Sequence, residues 1–334
     1  WRQIGKQVVA EGGYGFGSNK KGFDLKYTGK GATKNPLKYT YEGLKSFGAK
    51  ASGNIGGGTP AGRLAFEKLL QSPLARGVGA AAKGAAKVGG VLANMNHMGE
   101  FFYDSMAMNL NVLEAARRTG AEKVVSFLST CIYPDQAKYP LVEGDLHSGE
   151  PHESNFAYAY AKRMLEVQSR AYRKQYGGNY VCVVPTNIYG PNDNFSLEGG
   201  HVVPALIHKC YLAKKNNTPL TIWGSGSPLR EFVYSEDMGK LINWASNEYE
   251  EEGPIIFSNS DEISIKELVS AVVEAYDFTG EIIFDTSKPE GQHRKPTDNS
   301  KLRSYLPDFE FTPIREGVKK TVDWFVENYE GCRK

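Results

Sequence analysis

Val124-Val125-Ser126-Phe127-Leu128 and, further along, Tyr180-Val181-Cys182-Val183-Val184 are the two runs that decide the fold. Each is a short apolar segment rich in β-branched residues, the pattern of a strand buried on both faces in a parallel sheet. Between them Phe156–Gln175 reads as a helix ended near Gly177-Gly178. Before them Phe101–Gly120 places Phe102, Met106, Leu110, Leu113 and Ala116 at helical spacing, with Gly120 as the stop. Strand and helix alternating at these distances predict an α/β protein with a doubly wound, mostly parallel sheet. Further on, the spacing predicts helices over Val202–Lys215, Ser264–Tyr276 (Ser264 as N-cap) and Ile314–Asn328. Strands are predicted at Leu220–Trp223 and Ile282–Phe284. This last group is expected to form a smaller α/β lobe, with the division of the chain placed at 1–190 and 191–334.

Residues 1–84 read differently. They are dense in glycine, including Gly56-Gly57-Gly58, and offer only Val8-Val9 as a β-branched pair. The stretch Gly13-Tyr14-Gly15-Phe16-Gly17 follows no strand and lacks the GxGxxG spacing that brings a backbone against a pyrophosphate. Residues 1–90 hold 15 Lys/Arg against four acids, so the overall charge of +2 conceals a basic start and an acidic remainder. Those bases are scattered among glycines with no clustered stripe, which argues against nucleic acid as a partner. No apolar run is long enough to span a bilayer and no secretory signal opens the chain. The opening Trp1 is read as a missing start. Cys131, Cys182, Cys210 and Cys332 form no CxxC pair, so neither a metal site nor a disulfide framework is expected. The expected setting is reducing and cytoplasmic.

Chemistry enters with Tyr-x-x-x-Lys. At i and i+4 on a helix, the lysine lies near the phenol and is expected to pull it toward neutrality, making it a usable general acid. The pattern occurs at Tyr41/Lys45, Tyr158/Lys162 and Tyr211/Lys215. The first and third read as solvated helix faces. Tyr158/Lys162 stands out because an upstream strand ends at Leu128-Ser129-Thr130-Cys131, at the carboxyl edge of the sheet where ligands bind in open α/β folds. There Ser129 is expected to reach the same carbonyl oxygen as Tyr158.

Ser129-Thr130-Cys131-Ile132-Tyr133-Pro134, Tyr158-Ala159-Tyr160-Ala161-Lys162, Pro185-Thr186-Asn187-Ile188-Tyr189-Gly190-Pro191-Asn192-Asp193-Asn194-Phe195 and His201-Val202-Val203-Pro204 follow in order. Together with Ala85–Gly90, Trp223–Gly226, Arg230-Glu231-Phe232 and Phe284–Pro289, they resemble the GDP-L-fucose synthases over roughly residues 85–334. These are GDP-4-keto-6-deoxy-D-mannose 3,5-epimerase-4-reductases of the extended short-chain dehydrogenase/reductase type. The resemblance implies a Rossmann-type fold, NADP as cofactor and a GDP-sugar as substrate. It implies Ser129, Cys131, Tyr158, Lys162 and His201 as catalytic residues, with Cys131 and His201 as the acid/base pair. Free thiols titrate near about 8.5 and imidazoles near about 6.5, so both are tunable toward neutral pH. Leu128, Ser129, Tyr158, Lys162, Pro185, Thr186, Asn187, Ile188 and His201 would hold the cofactor. Lys209, Trp223, Arg230 and Asp285 would hold the substrate, Arg230 suiting a diphosphate by its forked donors. It also implies a homodimer joined through the helices at Phe101–Gly120 and Phe156–Gln175.

The family's opening strand and Gly-x-x-Gly-x-x-Gly turn do not appear. Ile4–Ala10 and Arg63–Leu70 resemble the helices expected there only faintly. Either that segment has been lost or replaced, or residues 1–84 differ from the natural chain. The second is preferred, because a doubly wound sheet without its central strands leaves the later ones unburied. Tryptic peptides matching residues 1–84 overturn that preference. Two rival functions carry distinct marks: a sibling NAD-retaining 4-epimerase or dehydratase would purify with NAD bound, and a non-catalytic binder would take GDP-sugar but not NADPH.

Overall fold

The computed structural model describes residues 14–19, 22–27, 97–287 and 292–334. The chain divides into two compact units, Trp1–Gly79 and Ala80–Lys334. In the first, β1 (Tyr14–Asn19) and β2 (Gly22–Tyr27) pair as an antiparallel hairpin, Gly17 opposite Asp24. The Gly15–Gly17 stretch is therefore a strand and not a strand-to-helix turn. The readings at Ile4–Ala10, Tyr41/Lys45, Gly56–Gly58, Arg63–Leu70 and Ala85–Gly90 lie outside the described residues, as do Lys288 and Pro289.

In the second unit α1 (Met98–Thr119) ends at Gly120, whose φ of 70° turns its N–H back to the last carbonyls. β3 (Lys123–Phe127) follows, then α2 (Phe156–Tyr176), stopped by Gly177 at φ 72°, and β4 (Asn179–Pro185). β3 and β4 run parallel, Val125 opposite Val181, and β8 (Ile255–Phe257) returns to lie parallel on the other side of β4. β4 shows why this is the organising strand. Tyr180, Cys182 and Val184 join a core with Leu113 and Leu165 of α1 and α2. Val181 and Val183 join the opposite core with Met238, Leu241 and Trp244 of α4 (Ser235–Asn247). Side chains alternate with period two, so a strand apolar at every position is one covered by helices on both faces. Val181 and Val183 are fully buried, each contributing about 1.5–3 kcal/mol by leaving water.

A third core lies around α3 (Val202–Asn216), α5 (Ile265–Ala275) and α7 (Ile314–Glu327). Two further sheets accompany it. β6 (Leu220–Trp223) pairs parallel with β10 (Ile282–Asp285). β7 (Leu229–Tyr234) pairs parallel with β5 (Asn187–Tyr189) and antiparallel with β9 (Glu262–Ser264). Ser264 caps α5 with a full capping box, its hydroxyl accepting from Glu267 N–H while Glu267 accepts from Ser264 N–H. α6 (Ser300–Tyr305) is a short helix before α7. No helix among the described residues is long and apolar enough to cross a membrane.

Candidate active site

β3 ends at Phe127, and Leu128 is still tied to β4 by its N–H to Val183 O at 2.8 Å. The backbone then breaks into a one-turn 3-10 helix, Thr130–Ile132, which Ser129 caps by accepting Cys131 N–H at 3.2 Å. Ser129 and half-buried Cys131 are thereby presented at the carboxyl edge of the sheet. Buried Arg163 of α2 fixes this turn from behind. Its guanidinium donates to Ile132 O and to Gly149 O, both at 2.7 Å, and stacks over Tyr160.

α2 brings Tyr158 onto the same edge in its first turn and Lys162 one turn later. The Tyr158 phenol lies beside the Ser129 side chain and within electrostatic reach of Cys131. Burial pushes this phenol up from its ordinary value, with the Ser129 hydroxyl pulling the other way. This corrects the fall expected from Tyr-x-x-x-Lys. The Lys162 ammonium is spent on Phe127 O at 2.9 Å and is itself lowered by burial, so desolvation outweighs the cation. A phenol held protonated in this way is a hydrogen-bond donor by default.

The next strand end adds Pro185–Ile188. Thr186 N–H donates to Phe257 O at 3.3 Å and Asn187 Nδ2 to Glu231 O at 2.8 Å, while the buried Thr186 hydroxyl has no partner among the described residues. A partnerless hydroxyl and a desolvated ammonium on one sheet edge suit the hydroxyl- and amide-rich nicotinamide riboside half of NADP. The residues present therefore fit that half of the cofactor.

The residues expected to meet the substrate fall into two groups. Arg230 of β7, desolvated and lowered by burial, lies within electrostatic reach of Cys131. With it comes Lys295, absent from the sequence reading, whose ammonium is lowered by burial and neighbours Cys131, Arg230 and Asp135. Ser129, Tyr158, Arg230 and Lys295 thus gather around Cys131, with Lys162 one helical turn beyond Tyr158. Lys209 and Trp223 form a second group, the ammonium 4.7 Å from the ring centre, on a cleft of about 940 Å³ that Leu197 and Leu212 also line. His201 is exposed at the N-cap of α3, with Asp193 as its electrostatic neighbour. Asp285, at the end of β10, accepts from Ser287 N–H at 3.1 Å and Ser287 Oγ at 2.6 Å.

The model of the NAD dependent epimerase/dehydratase family matches residues 67–258. A GDP-L-fucose synthase of Dictyostelium discoideum is 51% identical over 252 residues, covering 75% of this chain and 79% of its own length. A probable GDP-L-fucose synthase of Drosophila melanogaster is 44% identical over 259 residues, covering 75% and 81%. Among solved structures, a GDP-L-fucose synthetase from Naegleria fowleri bound to NADP superposes with a TM-score of 0.69 at 44% identity. The match covers 71% of this chain and 76% of that one.

Proposed function

This chain belongs to the GDP-L-fucose synthases, within the NAD dependent epimerase/dehydratase family, and from that premise we propose how its residues convert GDP-4-keto-6-deoxy-D-mannose to GDP-L-fucose. The reaction joins 3,5-epimerisation to NADPH-dependent reduction of the 4-keto group. The C4 ketone acidifies the hydrogens at C3 and C5, so inversion needs one group to remove a proton and another to return it from the opposite face. Cys131 and His201 fill these roles. Ser129 and Tyr158 donate hydrogen bonds to the C4 oxygen while it carries enolate charge. The same two donors serve the ketone during reduction, and Tyr158 gives its proton to the oxygen as the alcohol forms.

NADPH, when bound, supplies the hydride. Lys162, Thr186 and Asn187 hold its nicotinamide riboside, with Leu128, Pro185 and Ile188 lining the pocket and His201 at its border. Lys209 and Trp223 take the nucleotide end of the substrate, Lys209 as a point charge. Arg230 meets the diphosphate, and Asp285 a sugar hydroxyl. In this reading residues up to 190 serve mainly the cofactor and 191–334 mainly the substrate.

The single observation that carries the reading is the gathering of Ser129, Cys131 and Tyr158: Ser129 caps the turn that presents the thiol, and the Tyr158 phenol lies within electrostatic reach of it, which supports two donors and a thiol around one oxyanion position. The test is NADPH consumption with GDP-4-keto-6-deoxy-D-mannose, the product being identified by chromatography. Consumption yielding GDP-L-fucose and abolished in Tyr158→Phe is expected. Unimpaired turnover in that variant removes Tyr158 from the chemistry.

The enzyme acts as a cytoplasmic homodimer. Supporting this, α1 exposes Phe102, Tyr103, Leu110 and Val112 and α2 exposes Phe156 and Met164, more apolar surface than two packed helices leave to water without a partner. Light scattering on the full chain is expected to give twice the chain mass, and Tyr103→Asp with Leu110→Asp to shift it toward one.

A further inference from the structure

Arg230 faces the candidate site, and the next residue of β7 points the other way, into the interior. Glu231 is 2% exposed. Its Oε1 accepts the N–H of Thr297 at 2.8 Å, and its Oε2 accepts the hydroxyls of Thr297 at 2.6 Å and Ser258 at 2.8 Å. Its backbone carbonyl accepts from Asn187 Nδ2 on β5. No lysine, arginine or histidine forms a salt bridge with it among the described residues. A buried carboxylate without a counter-ion is costly, and burial pushes this one up despite its three donors. A plain packing position is better filled by an apolar side chain.

What the carboxylate grips explains its retention. Thr297 is 3% exposed and belongs to the segment that carries Lys295. Its neighbours continue the attachment: Pro296 O accepts Leu141 N–H, Asp298 N–H donates to Leu141 O, both at 2.9 Å, and Thr297 O accepts from Ser260 Oγ at 3.1 Å. Lys295 and Arg230 come from two different segments, yet both lie within electrostatic reach of Cys131 and of each other. Two cations repel, so their approach needs a fastening elsewhere. Between these two segments Glu231 makes two side-chain hydrogen bonds.

We propose that Glu231 is a positioning residue for the epimerisation half of the reaction: it clamps the 295–298 segment to β7, so that Lys295 and Arg230 converge beside the Cys131 thiol. The proposal rests on the reading of Cys131 as an acid/base group. Glu231 touches no reacting atom. It acts through the two cations, which favour the negative charge that develops on the enolate.

The test uses the full chain and four variants: Glu231→Gln, Thr297→Val, Thr297→Ser and Cys131→Ser. Three quantities are read: deuterium entering C3 and C5 of GDP-4-keto-6-deoxy-D-mannose in heavy water, the Kd for NADPH, and Tm. Glu231→Gln and Thr297→Val are expected to slow deuterium entry at least about tenfold while the Kd for NADPH stays within about twofold. Thr297→Ser, which keeps the hydroxyl donor, is expected to restore exchange to within about twofold of the parent. Exchange unchanged in folded Glu231→Gln and Thr297→Val overturns the proposal. So does loss of exchange in step with NADPH binding, or Thr297→Ser as impaired as Thr297→Val. Exchange lost in Cys131→Ser but kept in Glu231→Gln removes the positioning role alone. Exchange kept in Cys131→Ser overturns the acid/base reading and the clamp argued from it.

Discussion

The edge that carries Ser129, Tyr158 and Lys162 and the cleft that carries Lys209 and Trp223 are built on opposite plans. At the edge the polar groups are already desolvated or engaged: the Tyr158 phenol beside Ser129, Ser129 Oγ on Cys131 N–H, Lys162 on Phe127 O, the turn beneath them pinned by Arg163. In the cleft Trp223 remains 51% exposed, and the cation above its ring sits on an open wall. A site that must favour a transient oxyanion needs donors that do not reorganise at the moment of reaction. A site that must hold a nucleotide needs surface that the ligand itself will cover. The difference teaches where each kind of damage will show in the kinetics.

The largest effect is expected at the edge. Ser129→Ala removes one of two donors and should lower kcat about 10²–10³-fold, with KM for the GDP-sugar little changed. A loss confined to KM would erase the contrast between the two regions. Arg163→Met leaves the carbonyls of Ile132 and Gly149 without their donor. It should destabilise the fold by about 1–3 kcal/mol, read as a lower urea midpoint, and reduce kcat by loosening the turn that holds Cys131. Trp223→Ala tests the cleft: KM should rise about tenfold or less with kcat nearly intact, the size of a partly exposed cation–π and stacking contact. The smallest effect is electrostatic and lies away from both regions. Glu114, clamped by Arg117 and Arg118 and reached by Tyr172 of the neighbouring helix, is held down at about 2. Its folded pKa lies below the unfolded value, so its contribution is present above the ordinary carboxylate range and is lost as pH falls toward about 2. Solvent screening keeps it under about 1 kcal/mol. Glu114→Gln should therefore lower Tm slightly at pH 7 and leave it unchanged at the acid end of a thermal scan.

Most of the framework was legible because burial writes itself into composition. β4 reads as apolar from Tyr180 to Pro185 because both its faces are covered there, and α1 and α2 end at glycines that take left-handed φ values. β7 was not read as a strand. Its Arg230 and Glu231 break the apolar run, and the burial of Glu231 is made tolerable by partners far along the chain, at Ser258 and Thr297. The three-residue strands β5, β8 and β9 are too short to show a period. α4 did carry a readable stripe in Met238, Leu241, Trp244 and Ala245, which went unread. Lys295 had no signal of its own, since it lies in a proline-flanked stretch without periodicity and becomes a site residue only through the segment's attachment to β7. The hairpin at Tyr14–Tyr27 was likewise invisible, for Gly15 and Gly17 are poor strand formers.

The alternating allegiance of β4 has a consequence for how this part of the chain comes apart. Its even-numbered side chains are part of the packing beneath the edge that carries Ser129 and Tyr158, and its odd-numbered ones part of the packing around Trp244. Neither layer can melt while the other persists, because both are held by side chains of the same strand. Residues 97–334 should accordingly lose activity and aromatic packing in one cooperative transition, and a truncation meant to isolate either layer would yield no independently folding piece.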